Sequence, residues 1–317
     1  MSKADRNTPE PDRPAPPRQL SRRGLLAGAG LLAASACTSR PEARPGTAAA
    51  TGGPSATAPP RHPTHTNPRP SPARTAGEPD STATVAARAT VPVLCYHQLR
   101  TWRPTDGGYA RRWLICPPRQ FRAHLDALQA ADFSAISPDQ YLDHLTAGAA
   151  LPPRPVLLSF DDAQGSQRDV AAPELIRRGL TGTFFIMTVV LDKPDWLSST
   201  DLQRFASSGM TIAAHTWDHH RVDRYAGPDW ARQLQQPREQ LEGLLHAPVE
   251  HFAYPYGAWN PAALEHVRAA GYRSAYQLSD HPLDSHDPLH TLRRVLIDST
   301  WTGTQLLTEL DAGARAR

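Results

Sequence analysis

The sequence predicts an α/β fold, a parallel sheet with helical crossovers closed or nearly closed into a barrel of about seven units. Three observations predict it. Apolar, β-prone runs alternate with amphipathic helical segments from residue 91 onward. Several runs, Val156 to Phe160 among them, are apolar at consecutive positions, as strands covered on both faces require. The number of strand–helix units is large enough that a closed sheet is favoured over an open one.

The elements follow in order. Val91 to Tyr96 is a short strand, and Pro117 to Ala131 a helix with Phe121, Leu125 and Leu128 on one face. Phe133 to Ile136 is a strand, and Ser137-Pro138 opens the next helix with a cap followed by proline. Val156 to Phe160 leads into a helix over 166–178 that ends at Gly179. Thr183 to Val190 is β-rich. Ser199 or Thr200 caps a helix to Ser208, which Gly209 ends, and Met210 to Ala214 is a strand. Pro228 to Leu245 reads as a long helix with a bend expected at Pro237. The strands His251–Tyr254, Tyr272–Gln277 and Arg293–Ile297 and the helices Pro261–Ala270 and Thr302–Leu310 complete the chain.

Composition divides the chain into parts. It has 317 residues and 32 prolines, about twice the ordinary share, many of them before residue 90. Residues 1–37 carry a twin-arginine pattern, Arg22-Arg23-Gly24-Leu25-Leu26, and then a short apolar stretch from Gly24 to Ala36. That stretch suits an export signal and is too short to span a bilayer comfortably. Ala34-Ser35-Ala36-Cys37 resembles a lipobox, so Cys37 is a candidate lipid anchor to the membrane, with simple cleavage as the alternative. The expected location is outside the cytoplasm, secreted or held at the envelope. Residues 38–88 are Pro, Ala, Thr, Gly and Ser with few large apolar groups, and read as a disordered tether in which His62 and His65 are solvated. Residues 89–317 form the folded domain. A net charge of +3 is too small to suggest a nucleic-acid partner. Three cysteines without a Cys-x-x-Cys spacing exclude a zinc ribbon. Cys95 and Cys116 either pair or remain plain buried thiols, the second being the commoner state in an apolar run.

The polar groups that invite chemistry fall directly after strands, where barrel enzymes keep their reactive side chains. Asp161-Asp162 follows the Val156–Phe160 strand, His215 and His219 follow Met210–Ala214, and Tyr254-Pro255-Tyr256 ends the His251 strand. Adjacent carboxylates repel unless a cation or proton shares the site. Two imidazoles and one carboxylate are a common ligand set for Zn²⁺ or a similar divalent ion, with the second carboxylate left as a general base. The plain alternatives are a helix cap with a solvated neighbour for Asp161-Asp162 and ordinary loop histidines for the pair. Finding both motifs at strand ends of one barrel favours the metal site.

These residues resemble the polysaccharide deacetylase family, the NodB-homology domain of carbohydrate esterase family 4. Ser159-Phe160-Asp161-Asp162 is similar to its first motif, His215-Thr216-Trp217-Asp218-His219 to its second, and Phe252 through Gly257 to its third. Pro92 through His97 resembles the entry strand of the branch acting on poly-N-acetylglucosamine. The resemblance implies a distorted (β/α) barrel, a divalent metal (Zn²⁺, or Co²⁺ and others) on Asp162, His215 and His219, and Asp161 as base. It also implies an oxyanion donor at the Tyr256 backbone. His220 is a rival to His219 as ligand. Trp217, Tyr254, Pro255 and His97 are candidate substrate contacts. The arginine that normally orients the base is replaced by Ala253, so Arg293 is taken as its substitute, with Arg294 as the neighbour that could serve. No fourth motif is evident. The fifth, which normally supplies the acid histidine, has only Pro288-Leu289-His290 in its place, making His290 the candidate acid. The implied activity is removal of N-acetyl groups from an extracellular amino-sugar polysaccharide. An O-acetyl esterase of the same fold and a weakly active glycan-binding matrix protein are the rivals.

Overall fold

Strands and helices alternate in the computed structural model, which describes residues 80–278 and 281–315. The strands are β1 (Val93–Tyr96), β2 (Ser134–Ala135), β3 (Pro155–Asp161), β4 (Thr183–Ile186), β5 (Thr211–Ala214), β6 (His251–Ala253), β7 (Ser274–Leu278) and β8 (Leu292–Leu296). Every pairing between them is parallel. The order runs β1-β8-β7-β6-β5-β4-β3, and β1 also pairs with β3, with Val93 opposite Leu157 and Tyr96 opposite Phe160. That pairing closes a seven-stranded barrel, as the alternation of elements predicts. Strand β2 pairs only with the first two residues of β3 and stays outside the ring.

The helices are α1 (Thr82–Arg88), α2 (Pro118–Ala130), α3 (Pro138–Ala147), α4 (Ala172–Arg178), α5 (Ser199–Ser207), α6 (Gln236–Leu245), α7 (Pro261–Ala269) and α8 (Gly303–Arg315). Among the described residues none is long and apolar enough to cross a membrane. Strand side chains alternate between two apolar clusters. Leu94, Leu158, Phe184, Ile212 and Phe252 face the helices, against Phe121, Leu175, Phe205 and Leu264. Val93, Leu157, Phe185, Ala213, Ala253, Tyr276 and Leu292 fill the barrel interior. Full burial of each large side chain stabilises by roughly 1.5–3 kcal/mol, so one face alone would not hold the sheet. The alternation also fixes the site. Positions 95, 161, 215 and 294 share the interior parity of 93, 157, 213 and 292, but lie one or two steps further toward the strand C-termini.

Several boundaries differ from the sequence reading. The tether was expected to reach residue 88, but Thr82–Arg88 is helical. Its Val85 joins Ile136, Tyr141 and Leu145 in the cluster that fills the barrel interior. Arg88 donates to the Leu145 carbonyl at 3.0 Å, tying α1 to the end of α3. One apolar residue in a small-residue segment gave no periodicity to detect. Residues 1–79, with the signal, Cys37, His62 and His65, lie outside the described residues. Helix α5 is capped by Ser198, not Ser199 or Thr200: its hydroxyl accepts from Asp201 N at 3.1 Å and Asp201 accepts from Ser198 N at 3.0 Å. The helices expected over 166–178 and 228–245 both begin with a π-helical turn, Gln167–Ala171 and Ala231–Gln235. Pro173 and Pro237 lie at the first α-helical turn beyond, and neither can donate the usual backbone bond, which leaves the preceding turn wide. The β-rich run ends as a strand at Ile186 and continues as a 3₁₀ turn, Thr188–Val190. Cys95 and Cys116 are both buried free thiols. Cys116 packs in the outer layer, and the parity of Cys95 places it in the barrel, so the sheet separates them.

Candidate active site

Strand β3 ends on Asp161, and the chain then turns sharply, with φ of +76° at Asp162 and +58° at Ala163. This left-handed backbone, uncommon for residues other than glycine, sets the two adjacent carboxylates at one rim. After β5 the chain passes through His215 and turns again at Thr216 and His219, with φ of +66° and +67°. The turn is braced from within. His219 N donates to the Thr216 hydroxyl at 3.0 Å, and the Gln233 side chain accepts from Trp217 N and donates to Asp218 at 2.8 Å. Gln233 is 4% exposed and was not singled out from the sequence; its only signal is an amide at a buried helical position.

One donor atom from each of Asp162, His215 and His219 lies within 4.8 Å of the others. Asp162 Oδ1 is 3.6 Å from His215 Nε2 and 3.2 Å from His219 Nε2. His220, the rival ligand, turns away to Asp218 at 2.7 Å and is 76% exposed. The donor chemistry suits a cation. His215 Nδ1 lies 2.7 Å from the Ala253 carbonyl, which can only accept, so Nδ1 carries the proton and Nε2 presents a lone pair. Burial pushes His215 down to about 4, so the ring is neutral at physiological pH. Its lone pair therefore faces carboxylate oxygens of Asp161 and Asp162 at 3.7 and 3.6 Å. Asp162 Oδ1 is buried with no hydrogen-bond donor. Acceptors facing one another in a buried site repel unless a cation lies among them. The set of one carboxylate and two imidazoles fits a divalent ion.

Asp161 is held by Arg294, not by Arg293. The guanidinium donates to both carboxylate oxygens, at 2.6 and 2.8 Å, and both side chains are almost wholly buried. Burial opposes the Asp161 charge, but the guanidinium outweighs it and holds the carboxyl well below the usual carboxylate range. The Cys95 thiol donates to Asp161 Oδ2 at 3.5 Å, and Arg294 also reaches the Ser159 hydroxyl at 3.4 Å. Oδ2 thus accepts from both Arg294 and Cys95, whereas Oδ1 accepts from Arg294 alone and retains a lone pair for a proton. Parity explains the correction: on β8 the interior residue is Leu292, so Arg294 shares its face and Arg293 takes the other. That signal was present in the sequence.

His97 enters the same site. Its ring, Cys95 and Asp161 each offer an atom within 4.8 Å of the others, and its Nδ1 is buried without a hydrogen bond. Gln167 donates to the carbonyls of His97 and Asp161 at 3.2 and 2.6 Å, joining the ends of β1 and β3.

His290 lies elsewhere. It sits just before β8, and both ring nitrogens are engaged, Nδ1 with Asp287 at 2.7 Å and Nε2 with the Tyr272 carbonyl at 3.0 Å. Tyr272 precedes β7, so this histidine belongs to the opposite end of the strands and does not serve as the acid. Tyr254 is not a substrate contact either. It is fully buried in the outer layer against Phe252, and its hydroxyl donates to the His290 carbonyl at 3.0 Å. Pro255 is buried and shapes the 3₁₀ turn Pro255–Gly257. Within that turn Tyr256 has φ of +60° and is 62% exposed, its ring 4.6 Å from that of His219. Gly257 cannot be replaced easily, since a Cβ there would meet Leu278 N at 2.8 Å. Trp217 is 37% exposed, with the Arg232 guanidinium over its ring. A cavity of about 540 Å³ opens beside His219 and Tyr256, within the size range of small-ligand sites.

Residues 148–275 match the family described as polysaccharide deacetylase. YxkH of Bacillus subtilis (strain 168), named for the same family, is 21% identical over 216 residues, covering 68% of this chain and 74% of that protein. A poly-beta-1,6-N-acetyl-D-glucosamine N-deacetylase of Staphylococcus aureus (strain MRSA252) is 22% identical over 192 residues, covering 56% of this chain and 66% of that enzyme, just under two thirds of its length. Among solved structures, the Streptococcus pyogenes deacetylase PplD in complex with acetate superposes with a TM-score of 0.63 at 21% identity, covering 69% of this chain and 97% of that one. The barrel, the motif residues gathered at its rim and the family match together make the folded part of this chain a polysaccharide deacetylase domain of the NodB-homology type, carbohydrate esterase family 4.

Proposed function

We propose that this protein removes N-acetyl groups from N-acetylglucosamine-type residues of an extracellular polysaccharide, with a divalent ion, Zn²⁺ first, held by Asp162, His215 and His219. The observation that carries this reading is the donor set beside a buried, Arg294-held carboxylate. The similarity to the staphylococcal N-deacetylase supports the amino-sugar substrate. The twin-arginine pattern at Arg22-Arg23 supports export, and Cys37 supports a lipid anchor.

A divalent ion supplies Lewis acidity, polarising the acetamide carbonyl and making water easier to deprotonate. Asp161 takes a proton from the attacking water as the water oxygen adds to the carbonyl carbon. Arg294 and Cys95 keep the carboxylate aimed and ionised while it does so. The Tyr256 backbone N–H donates to the carbonyl oxygen as charge collects there. His97 delivers a proton to the nitrogen as the C–N bond breaks, so that acetate leaves and a free amine remains on the sugar. This role rests on the nearness of His97 to Asp161 and on its unpartnered Nδ1. Trp217 and Tyr256 present exposed rings on which the sugar can lie.

The test is acetate release by the full chain from chito-oligosaccharides, poly-N-acetylglucosamine and acetylated xylan, with added Zn²⁺ or Co²⁺ and after chelation. Metal-dependent acetate from the amino sugars, lost in Asp161→Asn, is the expected result. Acetate from xylan alone would assign an O-acetyl esterase instead. No acetate from a folded, metal-loaded chain would leave a glycan-binding protein.

A further inference from the structure

Among the described residues the exposed large apolar side chains are Trp102, Tyr109, Ile176, Trp217 and Tyr256. Single exposed apolar groups are ordinary. Here, however, the four aromatic ones all lie on loops that leave the C-terminal ends of barrel strands. Trp217 and Tyr256 flank the site on the loops after β5 and β6. Trp102 and Tyr109 lie further along the loop that His97 begins after β1, and the mechanism uses neither.

That loop is built to be stiff. The Trp102 indole donates to the Ile115 carbonyl at 3.0 Å, which fixes the ring while leaving the residue 44% exposed. Arg100 holds Asp106 through two bonds of 2.8 Å, and Asp106 accepts from Arg103 N at 2.6 Å. Gln98 bridges to Ile115, and Cys116 N donates to the Gln98 carbonyl at 2.9 Å. The base of the loop is tied to the segment that follows β3, since Leu99 N donates to the Ser166 hydroxyl at 2.9 Å. Arg112 reaches across to Asp298 beyond β8 at 2.6 Å. An exposed indole in a pre-organised loop is a low-entropy contact surface. Trp102 is five residues from His97, at most about 18 Å of extended chain. That reach keeps it within a few sugars of an acetamide held over Asp161.

We infer that the loop after β1 carries a second sugar subsite, in which the Trp102 indole stacks on a residue of the same N-acetylated glycan chain, several sugars from the one undergoing deacetylation. This rests on the deacetylase reading for the identity of the chain. It makes the enzyme selective for polymers over short oligomers, because only a long chain spans both sites.

The experiment compares wild type, Trp102→Leu and Trp102→Phe as full chains, using chitohexaose and chitobiose. Equilibrium binding is measured after chelation, and kcat and KM with metal restored. Trp102→Leu should weaken chitohexaose about tenfold in both Kd and KM, a loss the size of one good stacking contact. Its kcat, and its binding of chitobiose, should stay at the wild-type value. Trp102→Phe, which keeps a ring but loses the N–H, should stay within about twofold of wild type for chitohexaose. Unchanged chitohexaose binding in Trp102→Leu would overturn the inference, and so would equal weakening of both oligomers. Chain-length-dependent binding that responds to Trp102 without any acetate release would support the subsite and reject the deacetylase reading.

Discussion

Replacing Arg294 by methionine removes a buried charge while keeping much of its volume. In the native barrel the guanidinium meets both oxygens of Asp161 at 2.6 and 2.8 Å, with the two side chains 1% and 3% exposed. The charge centres are then about 4 Å apart, worth about 4 kcal/mol at an effective dielectric of 20. Breaking one side of such a pair leaves an uncompensated buried carboxylate, for which about 3–5 kcal/mol of destabilisation is typical. At roughly 2–4 °C per kcal/mol for a domain of this size, Tm should fall by roughly 6–20 °C. Activity should fall as well, about 100-fold or more in kcat, because the general base loses its aim. Arg294→Lys should lie between, since lysine restores charge without the bidentate fork. The assays are thermal melting by circular dichroism and acetate release at a temperature where the variant is folded. In an Asp161→Asn background Arg294→Met should cost less, because no carboxylate is orphaned. A Tm within about 2 °C of wild type, or equal losses in both backgrounds, would refute the argument.

Chelation should abolish acetate release and Zn²⁺ should restore it; His219→Ala should lower bound metal measured by mass spectrometry, while His220→Ala should leave it at wild-type level. His97→Asn should reduce kcat by about 100-fold with little change in KM, whereas His290→Asn should keep kcat and lower Tm, because His290 only bridges Asp287 and Tyr272. Glu174 offers a pH test far from the site. Burial works to raise its carboxyl, but hydrogen bonds from Arg122 and Arg177 prevail and hold it at about 2. The unfolded value is about 4.3, so its contribution is complete above that pH and is lost as pH falls toward 2. Glu174→Gln should therefore melt below wild type at pH 7, with the gap closing between about pH 4 and pH 2 by calorimetry.

Much of this could be read from the chain because it is local. Alternating apolar runs and caps announce the strands and helices, and Asp161-Asp162 and His215 must lie at strand ends whatever the strands then pair with. The parity of β8 even distinguishes Arg294 from Arg293, since a strand residue two positions from an interior leucine faces the interior. What sequence order did not determine is which remote groups become neighbours. Pro288-Leu289-His290 follows the other motif segments in order, yet the long return from β7 to β8 carries His290 to the far end of the strands. His97 precedes them all by more than 60 residues, yet closure of β1 against β3 sets it beside Asp161. Packing against α3 likewise turns Thr82–Arg88 from apparent tether into a packed helix, through the single buried Val85. Periodicity is set by backbone geometry residue by residue, so the sequence by itself determined the faces and the rim. Closure of the ring is a long-range pairing without a local signature, so only the tertiary structure decided that Asp161, Arg294 and His97 meet there.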